Sequence, residues 1–276
     1  MEKLEKTVSI AMLQMSSTVG DVEANLVKVE QIVSAQLPKN VSTLVLPEVW
    51  TVGWSCSDFV NSAQNVDDSE VIRFLSNLAK VYDINIIGGS FIAKKDNRYF
   101  NTCPVINRKG ELVALYDKMH LYSYYGCDEG SYITKGDSLC LVELDGVKYG
   151  LSICYDIRFP ELYRAYAKAG ADVLINCAAW GSKKAVAWEM MTKSRAIENQ
   201  CYMVALTQSG AINDCDSNLG QSRIIDFQGD EIASIMEGEG IVCGAINLSL
   251  LYNYRKKAPT LDDIRDDYEV VTLCKS

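Results

Sequence analysis

Apolar positions along this chain recur with two periods that take turns, one near two residues and one near 3.6. Ser9 to Met15 is a short apolar run of strand character. Asp21 follows as an N-cap, and Val22, Leu26, Val29 and Val33 fall on one helical face. Val41 to Leu46 predicts a buried strand that ends at Pro47-Glu48. Ser69 precedes a second helical pattern through Val71, Phe74, Leu75 and Leu78. Ile84 to Ile92 predicts a strand interrupted at Gly88-Gly89, and Tyr99 to Ile106 with Leu112 to Tyr116 predicts a hairpin around Arg108-Lys109-Gly110.

The second half continues the alternation. Ser138 to Leu144 and Val147 to Ile153 flank a turn at Asp145-Gly146. A helix is expected from Pro160 to Lys168, with proline in its first turn and Gly170 beyond its end. Val173 to Cys177 predicts a strand and Val186 to Asn199 a longer helix. Strands are expected at Tyr202 to Leu206, Gln221 to Ile225, Glu231 to Ile235 and Ile241 to Asn247, then a short helix from Leu248 to Lys256. The stretch from Ser123 to Asp137 is rich in Tyr and Gly and has no period; a loop of that length inside a compact domain is often functional.

With 276 residues, 48% of them hydrophobic, the chain can bury a sizeable core. No low-complexity linker divides it, so one mixed α/β domain over residues 1–276 is expected, with a polar tail from Ala258. The formal charge of -9 makes nucleic acid a poor partner. No apolar run approaches the roughly 20 residues that span a bilayer. The opening Met1-Glu2-Lys3-Leu4-Glu5-Lys6 has no apolar signal region, so a cytoplasmic location is expected. The 10 cysteines include no Cys-x-x-Cys pair, which points to free thiols and no structural metal. There is 1 histidine, His120, so a base for acyl transfer is sought among carboxylates.

Three segments carry candidate chemistry. In Gly150-Leu-Ser-Ile-Cys154-Tyr155-Asp156-Ile-Arg158-Phe-Pro160-Glu161, an apolar strand runs into a cysteine and then a turn and helix. Backbone N–H groups at such a turn favour a thiolate and an oxyanion; the other reading is a buried structural cysteine. In Thr43-Leu-Val-Leu-Pro47-Glu48-Val49-Trp50 a strand ends in a carboxylate beside aromatics. That glutamate is either a general base in apolar surroundings or a strand-end acid paired with a surface lysine. In Tyr116-Asp117-Lys118-Met119-His120-Leu121 a lysine follows a strand. It is either a fixed ammonium for an oxyanion or an ordinary exposed lysine.

Leu46-Pro47-Glu48, Lys118-x-His120-Leu121 and Cys154-Tyr-Asp-x-Arg-Phe-Pro-Glu161, in that order, resemble the carbon–nitrogen hydrolase (nitrilase) superfamily. The resemblance extends from the Gln14 strand to the region of Tyr254. It implies an α-β-β-α sandwich, no cofactor and at least a homodimer. It also implies a Glu48-Lys118-Cys154 site that hydrolyses a small-molecule amide, with Glu129 positioning the lysine and substrate. Tyr155-Asp156 resembles the amidase branches rather than true nitrilases. Arg158-Phe-Pro-Glu161, Trp188-Glu189 and Arg195-Ala-Ile-Glu198-Asn-Gln200 look most like ω-amidases and deaminated-glutathione amidases. Those enzymes act on amides that also bear a carboxylate. Arg158 then either binds that carboxylate or pairs with Glu161 or another local acid. Trp180 either walls the pocket or packs, and Tyr155 lies beside the nucleophile. Val49-Trp50 and Lys183-Lys184 depart from the common pattern and bear on substrate identity. Other readings are an N-carbamoyl-amine hydrolase, a nitrilase proper, and a non-catalytic binding protein that kept the fold.

Overall fold

The computed structural model describes residues 6–124, 128–265 and 267–270. Residues 125–127 of the expected Tyr/Gly-rich loop, the first five residues, Cys127 and Cys274 lie outside the described residues. The first half supplies β1 (Thr7–Gln14), β2 (Thr43–Val45), β3 (Gln64–Asn65), β4 (Asn85–Ile87), β5 (Phe91–Lys95), β6 (Arg98–Ile106) and β7 (Leu112–Asp117). Its helices are α1 (Val22–Gln36), α2 (Cys56–Phe59) and α3 (Glu70–Tyr82). The second half supplies β8 (Leu141–Leu144), β9 (Val147–Ile153), β10 (Val173–Ala178), β11 (Tyr202–Thr207), β12 (Ser222–Ile225), β13 (Glu231–Ile235) and β14 (Gly240–Asn247). Its helices are α4 (Pro160–Lys168), α5 (Ala185–Asn199) and α6 (Leu248–Lys257).

The strands form two sheets. One runs β14-β1-β2-β4-β6-β5-β3, with β7 also paired to β6; the other runs β13-β12-β11-β10-β9-β8. At the centre of each sheet lie three parallel strands, β1-β2-β4 and β9-β10-β11. Alternation along β1 shows how the layers stack. Ile10 and Met12 join a core shared with Ile153, Ile175 and Val204 of the second sheet. Ala11 and Leu13 instead pack with Val29 and Val33 of α1 and Leu75 of α3. Trp188 and Ala196 of α5 and Tyr163 of α4 pack on the second sheet. The result is the expected α-β-β-α sandwich.

Helix starts follow their caps. Asp21 accepts from the Ala24 amide at 3.0 Å, and Ser69 accepts from the Ile72 amide at 3.2 Å. The turn Asp145-Gly146 has φ of +50° and +71°, as a two-residue hairpin demands. The elements α2 and β3 were not expected; four and two residues are too short to show a period.

The strand expected from Ile84 to Ile92 is in fact two, β4 and β5, broken at Gly88-Gly89. Gly89 has a φ of +64°, and a Cβ there would lie 2.0 Å from the Pro47 carbonyl oxygen. The Ser90 amide donates to that same oxygen at 3.0 Å, and the Trp50 indole donates to the Gly88 carbonyl at 2.8 Å. The break therefore lets the chain press against Pro47-Glu48 and fix it. Gly89→Ala should cost at least about 2 kcal/mol of stability, from strain plus collision. Chemical denaturation checks this; an unchanged midpoint would remove Gly89 from the account of how Glu48 is held.

Candidate active site

The candidate residues follow strand ends. Cys154 comes directly after β9, Lys118 directly after β7, and Glu48 three residues after β2. Ala179 and Trp180 follow β10, and Gln208 follows β11. The carboxyl ends of central parallel strands are where α/β folds place ligands. Left-handed backbone occurs at Cys154, with φ +47°, and at Val49 next to Glu48, with φ +40°. For a β-branched valine this conformation is costly. The Ser90 hydroxyl, accepting from the Val49 amide at 2.9 Å, helps to hold it.

Glu48, Lys118 and Glu129 are each fully buried. The Lys118 ammonium donates to Glu48 Oε1 at 2.8 Å and to both Glu129 oxygens at 3.0 and 2.8 Å. The second Glu48 oxygen accepts from the Ala179 amide at 2.8 Å, and the Glu48 carbonyl accepts from Gln208 at 2.7 Å. The Tyr122 amide donates to Glu129 at 2.7 Å. Asn101 spans the carboxylates, donating to Glu48 at 2.9 Å and to Glu129 at 3.3 Å. Burial opposes charge on Lys118, but the pull of Glu129 and Glu48 outweighs it and holds the ammonium well above its ordinary pKa. Burial raises the Glu129 carboxyl, against the lowering effect of Lys118.

Cys154 is 6% exposed. Burial first, and then the negative charge of Glu48, push its thiol well above the ordinary value, while Lys118 pulls the other way. Cys154 therefore rests as a neutral thiol near the Glu48 carboxylate.

Asp156, two residues on, is also fully buried. One of its oxygens accepts from the Tyr116 hydroxyl at 2.7 Å and the Ile153 amide at 2.9 Å. The other accepts from the His120 amide at 3.0 Å and contacts His120 Nδ1 at 2.8 Å. His120 stacks on Phe159 at 3.7 Å. The one histidine of the chain is thus tied to a structural carboxylate that joins the Lys118 segment to the Cys154 turn.

Cys154 opens into a pocket of about 580 Å³. Trp54, Tyr122, Tyr124, Tyr155 and Trp180 make aromatic walls, and Arg158, Lys183 and Lys184 reach it with positive charge. The Arg158 guanidinium lies 5.2 Å from the Trp180 ring centre and 5.9 Å from that of Tyr155. Among the described residues no carboxylate forms an ion pair with it, Glu161 included. Trp180 both walls the pocket and packs on Trp188 at 5.3 Å.

The structure brings Glu48, Lys118, Glu129 and Cys154 together and sets Tyr155, Arg158 and Trp180 around the same opening. Sequence reasoning missed Asn101, Tyr122, Gln208 and the supporting role of Asp156. Asn101 and Asp156 carried a signal, a polar residue within an apolar strand or in the turn that follows one. Tyr122 and the Ala179 amide carried none.

An α-β-β-α sandwich with a buried Glu-Lys-Cys cluster at its strand ends is the arrangement that the carbon–nitrogen hydrolase resemblance implies. The chain belongs to that family: the carbon–nitrogen hydrolase family profile matches residues 9–256. It is 34% identical over 259 residues to 2-oxoglutaramate amidase of Bacillus subtilis, covering 94% of this chain and 98% of that one. It is 26% identical to omega-amidase NIT3 of Saccharomyces cerevisiae, covering 96% and 95%. Among solved structures, a CN-hydrolase superfamily protein of Xanthomonas campestris, XC1258, superposes with a TM-score of 0.87 at 26% identity, covering 97% of this chain and 100% of that one. The amide C–N hydrolysis expected from the sequence therefore stands.

Two outcomes follow from the electrostatics. Glu48→Gln removes the largest neighbouring charge that disfavours the thiolate and leaves Lys118, so the Cys154 pKa should fall. The pH midpoint of Cys154 alkylation by iodoacetamide should move down even as amidase turnover is lost; an upward shift would refute this charge assignment. In Asp156→Asn, either rotamer turns an NH₂ toward a backbone N–H, of Ile153 or of His120. A loss of about 1–3 kcal/mol is expected in thermal denaturation. Wild-type stability would show that the Asp156 charge is dispensable.

Proposed function

We propose that the protein hydrolyses a small amide that also carries a carboxylate, through a thioester on Cys154. One observation supports this most: an aromatic-flanked Arg158, without an ion-pair partner among the described residues, opens into the same pocket as Cys154. The relatives named above, a 2-oxoglutaramate amidase and an omega-amidase, support it from outside the chain. Arg158 would bind the carboxylate through paired N–H groups.

In the proposed cycle Glu48 accepts the Cys154 proton as the sulfur attacks the amide carbonyl. A C–S bond forms, and the carbonyl electrons move to oxygen. Lys118 and the Tyr155 backbone N–H stabilise that oxyanion, because the first N–H groups of a helical turn lack partners within the turn. Glu48 returns the proton to the leaving nitrogen, the C–N bond breaks, and ammonia departs. Water, deprotonated by Glu48, then attacks the thioester. The C–S bond breaks, and the proton returns to sulfur. Glu129 keeps Lys118 in place throughout.

The same reading includes a homodimer in the cytosol. Val186, Met190 and Ile197 on one side of α5 are 77%, 56% and 50% exposed, an apolar stripe that a second copy would cover. The free thiols of Cys103, Cys154, Cys177 and Cys201 suit a reducing compartment.

Ammonia release should vanish in Cys154→Ala; substantial retained turnover would end the covalent scheme. Lys118→Met should lose on the order of 10² to 10³ in kcat. Arg158→Met should raise KM for a carboxylate-bearing amide by roughly 10- to 100-fold, the worth of a charge-assisted bond, and leave a neutral amide of equal length nearly unaffected. Equal losses on both amides would remove Arg158 from carboxylate recognition.

A further inference from the structure

Two consecutive residues of β6 grip the end of β7. Thr102 pairs with Asp117 in the ladder, and its hydroxyl donates to Asp117 Oδ1 at 2.6 Å. Lys95 of β5 donates to both oxygens of that carboxylate, at 2.7 and 2.8 Å. Asn101, one residue earlier, holds Lys118: its backbone carbonyl accepts from the Lys118 amide at 2.9 Å. Asn101 thus fixes where the lysine leaves its strand, and its side chain reaches the carboxylates that the ammonium meets.

That side chain is buried. Its Nδ2 donates to Glu48 Oε1 at 2.9 Å and to Glu129 Oε1 at 3.3 Å. The flipped amide would set an oxygen against two carboxylates, so the NH₂ must point this way. The Asn101 Oδ1, also buried, has no hydrogen-bond partner among the described residues. Packing alone does not account for a buried acceptor left unmatched. What the position supplies is a neutral group with two donors.

The donors around Glu48 are unevenly shared. A carboxylate oxygen has two lone-pair sites. At Oε1 both are filled, by Lys118 at 2.8 Å and by Asn101 at 2.9 Å. Among the described residues, Oε2 accepts only from the Ala179 amide, at 2.8 Å. A proton arriving at Oε1 would have to displace a donor, and one arriving at Oε2 would not.

We propose that Asn101 is a positioning residue for the hydrolysis: by completing Oε1, it commits Glu48 Oε2 to every proton transfer. This rests on the reading of Glu48 as proton carrier for Cys154. The thiol proton passes to Oε2 as the C–S bond forms, and from Oε2 to nitrogen as the C–N bond breaks. A proton of the attacking water passes through Oε2 to sulfur as the thioester C–S bond breaks. Acylation and deacylation then use one oxygen held at one angle. Asn101 does not line the pocket, so its effect belongs to turnover rather than to substrate binding.

The test follows ammonia release from glutaramate beside alkylation of Cys154 by iodoacetamide, which needs the thiolate but no proton carrier. Asn101→Leu, close in volume and without a donor, should lower kcat by roughly 10- to 100-fold, the scale of a hydrogen bond to a charged group, with KM nearly unchanged. Its alkylation rate at the high-pH plateau should stay near the wild-type value. Asn101→Asp places a third carboxyl against Glu48, Glu129 and Lys118. Ionised, that carboxyl repels its neighbours; protonated, its O–H donates as the amide did. The kcat of Asn101→Asp relative to wild type should therefore rise as pH falls, whereas that of Asn101→Leu stays flat. Melting curves establish folding, and should Asn101→Leu not fold, the isosteric Asn101→Asp carries the test. Wild-type kcat in Asn101→Leu, an equal loss of turnover and plateau alkylation, or an Asn101→Asp ratio flat in pH each overturns the positioning role. Glutaramate left intact by the wild-type protein overturns the carboxylate-amide reading instead, and wild-type turnover in Glu48→Gln overturns Glu48 as proton carrier.

Discussion

A lysine ammonium buried between two glutamates is the interaction on which the rest of this molecule turns. An isolated ammonium at that depth would be several kcal/mol out of balance. Lys118 is sustained because Glu48 and Glu129 both lie within 3.0 Å of it. Each carboxylate is held in turn by a backbone amide, Ala179 for Glu48 and Tyr122 for Glu129, with Asn101 between them. These groups come from both sheets: Glu48 and Lys118 follow strands of the first, and Ala179 follows a strand of the second. The cluster therefore pins the two halves of the sandwich together at the end where Cys154 lies. Removing one partner would strand a buried charge, typically at a cost of about 3–5 kcal/mol.

Around this cluster the backbone gives up local comfort for placement. Val49 and Cys154 both sit at positive φ, and Gly89 comes close enough to Pro47 to leave no room for a Cβ. Such strain persists only where the surroundings over-determine it. Here the surroundings are named groups. Ser90 and Gln208 hold the Glu48 segment, and Asp156 holds the Cys154 turn. With two backbone amides and a tyrosine donating to it, Asp156 fixes the distance between the Lys118 segment and the Cys154 turn. In the proposed cycle that distance decides whether an oxyanion on carbon attached to Cys154 meets Lys118.

Much of this was legible in the sequence, for physical reasons that differ by feature. The layers could be read because α1, α3 and β1 obey their periods, and capped helices with turns such as Asp145-Gly146 announce their own boundaries. The Gly88-Gly89 interruption was visible, but not its meaning, since the atom it avoids belongs to Pro47, far back in the chain. The Glu-Lys-Cys set stood out through chain order rather than through any local signal. Tyr122, Gln208 and the Ala179 amide were invisible because each acts through a contact made only by tertiary folding, and a backbone N–H has no letter in the sequence. Arg158 was left between two partners; in the folded chain it lies over Tyr155 and Trp180 and forms no ion pair with Glu161.

The charge state of the cluster also explains why a neutral thiol suits the proposed chemistry. A preformed thiolate would add a negative charge to a buried site that already holds two carboxylates and one ammonium, which is why Glu48 and burial together disfavour it. Passing the proton from Cys154 to Glu48 avoids the addition, because it moves a negative charge from oxygen to sulfur without changing the total. Attack on the carbonyl moves that same charge to the oxyanion, toward Lys118. Return of the proton to nitrogen and loss of ammonia restore the starting count. Acylation thus proceeds at constant charge in a region of low dielectric, where each uncompensated charge is most expensive. The second carboxylate, Glu129, takes no proton in this scheme. Its place is to keep Lys118 charged when Glu48 is momentarily neutral, so that the cation is never left without a counter-ion during the step that needs it.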